Sequence, residues 1–237
     1  MTQVNPELIL KMKEAAAEAA AALVKTGMKL GLGTGSTAIH VTRAVGAMLS
    51  RGELKDISVF ATSFQTEIEC ERLNIPFYPL NSNRFESGLD LSIDGADEID
   101  PNNYLIKGGG AALLIEKLAA YASSSYAIVA DEAKAVVNLG MAFPVPVEVI
   151  PEARTQAARA LGNFGEVKLR EAVRKAGPVI TEHGNIILDV LFKSPIDPQE
   201  LETEFNMIPG VVENGFFSKK HPVVYIAHSD GTVEVRK

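Results

Sequence analysis

Apolar positions along the chain switch between two spacings. Short apolar or alternating runs at 28–32, 57–61 (ISVFA), 89–93 and 125–130 (SYAIVA) predict strands. In the third run Leu89, Leu91 and Ile93 alternate with polar residues, the period of a pleated strand. Between these runs lie segments with helical signals. Asn5-Pro6-Glu7 reads as a helix start, with a capping Asn, Pro at the first helical position and an acid in the first turn. That alanine-rich helix is expected to stop at Gly27, and further helices are predicted at 36–50, 63–73 and about 110–121. Residues 75–80 read as extended, with Pro76 and Pro79 marking an edge or a strand end. Strand–helix repetition of this kind implies right-handed crossovers and a mostly parallel sheet with helices on both faces, a Rossmann-like α/β layer.

The pattern changes at Phe143-Pro144-Val145-Pro146. A strand to Ile150, a helix at 153–161, strands around Val167 and at 184–192, a helix from Pro198 and a strand after Pro209-Gly210 follow. The order β-α-β-β-α-β predicts a smaller, ferredoxin-like α+β domain. The expected division is therefore 1–142 with 218–237 as the Rossmann-like domain and 143–217 as the second domain, the tail returning to the first sheet.

Composition narrows the function classes. The 237 residues are 46% hydrophobic and 22% charged, enough apolar material for a sizeable core. With 23 Lys and Arg against 30 Asp and Glu the formal net charge is −7. An acidic balance argues against nucleic acid and against an anionic membrane surface as partners. No apolar run approaches a spanning helix, and one cysteine, Cys70, makes no internal disulfide, so a cytoplasmic protein is expected. The four histidines and Cys70 show no metal-ligand spacing, so no metal is expected.

Ligands of open parallel sheets bind beyond the carboxyl ends of the strands, so the loops there are the places to search. Gly31-Leu32-Gly33-Thr34-Gly35-Ser36-Thr37 follows the first strand. Spaced glycines permit a tight turn and close backbone approach, and Ser36 and Thr37 open a helix whose N–H groups favour an anion. The segment reads as a phosphate cradle without a Walker lysine, or as a plain turn with a Ser/Thr cap. Asp94-Gly95-Ala96-Asp97-Glu98-Ile99-Asp100 follows the 89–93 strand. Its four carboxylates fit a bent segment that directs Asp94 and Asp97 into one crevice, a solvated acidic turn, or a hard-metal site. Lys107-Gly108-Gly109-Gly110 suits an anion-binding nest with a positive charge beside it, or a flexible loop. Glu116 has Ala112, Leu113, Ala119 and Ala120 as its helical neighbours. A carboxyl on such a stripe is either partly buried, with a pKa raised toward that of a general base, or paired in solvent like its neighbour Lys117. Lys134 follows the strand ending at Ala130, and His40 is expected to pack on its helix.

Taken together, GTGSTA (33–38), DGADEID (94–100), KGGGAAL (107–113) with Glu116 nine residues after Lys107, FPVPVEVIP (143–151), GNIILDV (184–190) and IPGVVENGFF (208–217) closely resemble the type A ribose-5-phosphate isomerases over almost the whole chain. The resemblance implies interconversion of D-ribose 5-phosphate and D-ribulose 5-phosphate in the non-oxidative pentose phosphate pathway, with no metal or organic cofactor. It implies that Glu116 carries a proton between C1 and C2 through an enediolate. Asp94 would assist ring opening, and Asp97 and Lys107 would hold the sugar. Lys107 and the amides of Gly108, Gly109 and Gly110 would stabilise negative charge on oxygen. Thr34, Gly35, Ser36, Thr37 and Lys134 would take the phosphate end, and Gly95 and Ala96 would line the substrate. Lys13 matches a family lysine near the phosphate. Ile115 stands where the family often carries Arg, which removes an ion pair beside the base. A homodimer or homotetramer is also implied. The rival readings are a non-catalytic sugar-phosphate sensor, and a coenzyme A transferase-like or amino-sugar-phosphate deaminase activity on a related architecture.

Overall fold

The computed structural model describes residues 5–237. Asn5 caps the first helix, α1 (Pro6–Ala21), its side-chain oxygen accepting from the Glu7 amide at 3.0 Å. The helix ends at Ala22, well before Gly27. Leu23 and Val24 donate to the Ala20 and Ala21 carbonyls three residues back, a tightened last turn. Gly27, at φ +84°, instead makes the turn into the first strand and donates to Lys55. The remaining regular elements of this half are β1 (Lys29–Leu32), α2 (Ala38–Ser50), β2 (Ser58–Ala61), α3 (Phe64–Arg72) and β3 (Leu89–Gly95). They are followed by β4 (Glu98–Ile99), β5 (Leu105–Ile106), α4 (Leu113–Ala122) and β6 (Ser123–Asp131). Then come β7 (Val145–Val149), α5 (Arg154–Leu161), β8 (Glu166–Leu169), β9 (Ile186–Leu191), α6 (Pro198–Asn206), β10 (Val211–Asn214), β11 (Phe216–Phe217), β12 (Val223–Ala227) and β13 (Val233–Arg236).

The chain forms two compact units. The first holds the described residues up to Gly95, then Leu118–Lys134 and Lys220–Lys237. Its six-stranded sheet runs β13-β12-β6-β3-β1-β2, parallel except for the β13 edge. Phe77 adds a single parallel bridge outside β2, the extended piece expected at 75–80. Chain direction across the sheet reverses between β1 and β3, the switch point at which α/β sheets open a crevice. The alanines of α1 let it lie close. Ala16, Ala17 and Ala20 are fully buried in a core with Val41 and Val45 of α2, Cys70 of α3, and Leu30, Leu32, Val59 and Ile93 of the sheet. As expected, the tail rejoins this sheet, β12 pairing with β6.

The second unit comprises Ala96–Lys117 and Ala135–Lys219. Its four-stranded antiparallel sheet has the order β10-β7-β9-β8, the interleaving of a β-α-β-β-α-β chain. Val145, Val147, Val149, Leu188 and Val190 pack with Leu161, Phe205 and Phe216 in its core. A small antiparallel sheet, β11-β5-β4, joins Phe216 to Ile106 and Ile106 to Glu98. This pairing places 96–117 in the second unit, whereas strand–helix alternation alone had grouped it with the first. A two-residue strand is too short to show as a periodic signal.

Candidate active site

Two sets of sequence-predicted residues are built, one in each unit. In the first unit the turn after β1 lies against the end of β3. A Cβ on Gly31 would stand 2.7 Å from Ser92 Oγ, and one on Gly33 would overlap the Asp94 carboxylate. Of the spaced glycines, these two therefore serve close strand approach, and only Gly35, at φ +106°, is needed for the turn itself. Asp94 is buried, and its Oδ1 accepts the amides of Thr34 at 3.1 Å and Gly95 at 2.7 Å. The Thr34 hydroxyl meets Thr62 and Ser63 at 2.7 Å each, and the Gly35 amide donates to Gln65. Lys13 reaches across from α1 and donates to Ser36 Oγ at 2.9 Å. Thr37 precedes the first turn of α2. A lysine, several hydroxyls and a helix N-terminus thus surround one turn, an arrangement suited to a phosphate dianion. Lys134 lies in the short turn after β6, whose carboxyl end adjoins that of β3.

In the second unit Asp97, Lys107, Gly108, Gly109, Gly110 and Glu116 come together. The Asp97 amide donates to the Ile106 carbonyl, and the Lys107 amide to Gly215, so the short sheet fixes both backbones. Asp97 Oδ2 accepts the Gly109 amide at 2.7 Å. A side chain on Gly109 would collide with that carboxylate, and Gly108 sits at φ +101° against Leu113 and Pro146. Glu116 is 4% exposed and Lys107 2%, and Oε2 of the one is 3.3 Å from Nζ of the other. The ring of Phe217 lies 5.6 Å from the Lys107 ammonium. A carboxylate shielded from water beside a shielded ammonium is equipped to take a proton from carbon while the cation stabilises charge on a neighbouring oxygen.

Glu116 therefore faces inward, and the reading that paired it in solvent, like its neighbour Lys117, is overturned. Lys117 is itself buried, bound to Glu213 at 2.8 Å and Glu202 at 3.5 Å, and burial pushes its pKa down. The acidic run 94–100 is also no solvated turn. Asp94 and Asp97 hold the amides described above. Glu98 accepts the Gly140 and Phe143 amides, with burial pushing its pKa up, and Asp100 accepts those of Asn102 and Tyr104. Backbone donors offset the repulsion that the spacing suggested. Gly95 and Ala96 form the link on which the chain passes from one unit to the other.

The family model for ribose 5-phosphate isomerase A (phosphoriboisomerase A) matches residues 58–231. The chain belongs to the ribose 5-phosphate isomerase A family. Its sequence is 54% identical over 211 residues to ribose-5-phosphate isomerase A of Treponema denticola, covering 88% of each chain. It is 44% identical over 236 residues to that of Nostoc, covering 99% of each. Among solved structures, ribose 5-phosphate isomerase A of Methanocaldococcus jannaschii superposes with a TM-score of 0.89 at 42% identity, over 95% of this chain and 98% of that one. A D-ribose-5-phosphate isomerase in complex with phospho-erythronic acid gives 0.92 at 40%, over 97% and 99%.

In this member of the ribose 5-phosphate isomerase A family, residue-by-residue reading missed Ser63, Gln65 and Thr66, which buttress the 33–36 turn. Their signal was a Thr-Ser pair at the carboxyl end of β2. It also missed Arg170, which lies far away in sequence and touches the glycine loop. Among the described residues no three His, Cys, Asp or Glu side chains gather as a metal site, and no helix is long and apolar enough to cross a membrane.

Proposed function

We propose that the protein interconverts D-ribose 5-phosphate and D-ribulose 5-phosphate by proton transfer through an enediolate. The observation that carries this reading is the buried Glu116 carboxylate 3.3 Å from the Lys107 ammonium. In the aldose-to-ketose direction Glu116 takes the C2 proton of the open-chain sugar, the electron pair forms the C1–C2 double bond, and negative charge moves to O1. Lys107 and the glycine-loop amides stabilise that oxygen. The same carboxyl returns the proton to C1, and the O2 proton passes to O1 as the C2 ketone forms. Asp94 and Asp97 bind the sugar hydroxyls, Asp94 assisting ring opening. Lys13, Thr34, Gly35, Ser36, Thr37 and Lys134 bind the phosphate, whose binding energy positions C1 and C2. The Lys13–Ser36 hydrogen bond supports placing this lysine in the phosphate set. The physiological setting we infer is the non-oxidative pentose phosphate pathway of the cytoplasm, with the chain acting as a homodimer or homotetramer.

The test is a coupled assay for ribulose 5-phosphate on the parent protein and Glu116→Gln. Removing the base is expected to lower kcat by about 10²–10⁴-fold while sugar-phosphate binding, read by thermal stabilisation, survives. Turnover within tenfold of the parent overturns the assignment of the base. Ligand stabilisation with no conversion by the parent protein overturns the enzyme reading in favour of a sensor.

A further inference from the structure

Arg170 lies at the end of β8, away from every motif that pointed to chemistry. Its backbone is held on both sides, the amide donating to Ile187 and the carbonyl accepting from Val179. Its side chain is 15% exposed, and the guanidinium forks onto Asp189, at 2.8 Å from Nε and 2.5 Å from Nη2. That fork leaves Nη1 aimed at the glycine loop, where it donates to the carbonyls of Gly108 at 2.8 Å and Gly109 at 3.1 Å.

The consequence follows from peptide geometry. In a trans peptide the C=O of one residue and the N–H of the next point in opposite directions, and no cis bond occurs among the described residues. Drawing the Gly108 and Gly109 carbonyls toward Arg170 turns the Gly109 and Gly110 amides to the opposite side. The Gly109 amide indeed meets Asp97 Oδ2 at 2.7 Å. A triple-glycine loop has little conformational preference of its own, and apart from the Ala111 amide, which donates to the Gly108 carbonyl at 2.9 Å, its donor directions are set by contacts from elsewhere in the chain. We propose that the Arg170–Asp189 pair is a positioning device for the isomerisation. It sets the direction of the Gly109 and Gly110 amides, and through Gly109 the orientation of Asp97, without touching substrate. A lysine would not replace it, because one ammonium lacks the planar fork that holds a carboxylate and two carbonyls together.

This inference rests on the isomerase reading, and Glu116→Gln serves as the control that separates the two. The experiment compares the parent, Arg170→Lys, Arg170→Ala and Asp189→Asn in the coupled assay, with circular dichroism and Tm confirming the folded state. Misdirected amides act on the transition state, so kcat per folded molecule is expected to fall about 10–100-fold in both Arg170 variants, within the range for losing an oriented oxyanion donor. KM should change less than kcat does, since the phosphate turn is untouched and only the Asp97 contact to the sugar is loosened. Guanidinium ion at sub-denaturing concentration should restore part of kcat to Arg170→Ala and none to Glu116→Gln. A kcat within twofold of the parent in folded Arg170→Ala, or a loss that tracks the unfolded fraction with no guanidinium rescue, overturns the proposal. Full activity in Glu116→Gln overturns the assignment of the base instead, and no conversion by the parent protein overturns the isomerase reading.

Discussion

At the scale of single residues, burial decides what each ionisable group does. Glu116 and Lys117 are neighbours on one helix, yet one meets Lys107 and the other Glu202 and Glu213. Helical rotation of about 100° per residue sends adjacent side chains to different surroundings. Cys70 is the opposite case, a nucleophile made inert. It is fully buried on α3, and burial, with Glu67 and Glu69 nearby, pushes its thiol up to about 12. Thiol reagents attack the thiolate, so native Cys70 is expected to resist Ellman's reagent at neutral pH and to react at once in denaturant. Rapid labelling of the native protein would contradict the packing seen around α3. Gly33 marks a third kind of constraint. Gly33→Ala would push a methyl group into the Asp94 carboxylate, and the amides of Thr34 and Gly95 would lose their shared acceptor. Activity is therefore expected to fall by at least about tenfold with secondary structure retained, as circular dichroism and the coupled assay would show.

At the scale of elements, the strand ends carry the design. His228 at the end of β12 contacts Glu132, in the turn after β6, at 3.0 Å and Glu234 of β13 at 3.2 Å. Asp230 and Arg236 complete the surrounding charges. The hydrogen bond to Glu132, then that to Glu234, raises the imidazole pKa above its ordinary 6.5. A folded-state pKa raised above the unfolded one contributes stability that is fully present below the unfolded value and is lost as pH rises through the folded value. His228→Gln should therefore melt below the parent at about pH 6, the difference shrinking to nothing as the solution becomes alkaline. A Tm difference independent of pH would show that the histidine acts through packing alone.

On the scale of the whole molecule, two separate apolar cores underlie two units. In the second, Phe205 is fully buried and meets Phe164, Phe192 and Phe216 with ring centroids 5.3–6.4 Å apart. Phe205→Ala should cost about 3–5 kcal/mol and leave a cavity there. Because local opening follows the core that is weakened, amide exchange in β7 and β9 should accelerate far more than in β1 and β3. Equal acceleration in both sheets would mean that the two cores open as one.

Much of this was legible in the chain. Alternation marked β3, Asn-Pro-Glu marked the start of α1, and strand–helix repetition marked the parallel sheet, because local hydrogen-bonding and burial periods are written in consecutive residues. The glycine turns and the DGADE and KGGG segments stood out because such composition makes no core. What consecutive residues could not express was direction across space. Whether Glu116 faced core or solvent depended on helix rotation, and the grouping of 96–117 depended on two-residue strands pairing with Phe216. Arg170 and Gln65 gained their roles only by arriving beside a glycine loop and a turn distant in sequence. Residue order thus determined which of the longer elements form and which segments were candidates for chemistry. Tertiary packing decided which carboxylate was shielded and which amides were aimed, since burial and donor direction are properties of neighbours that the backbone brings in from elsewhere.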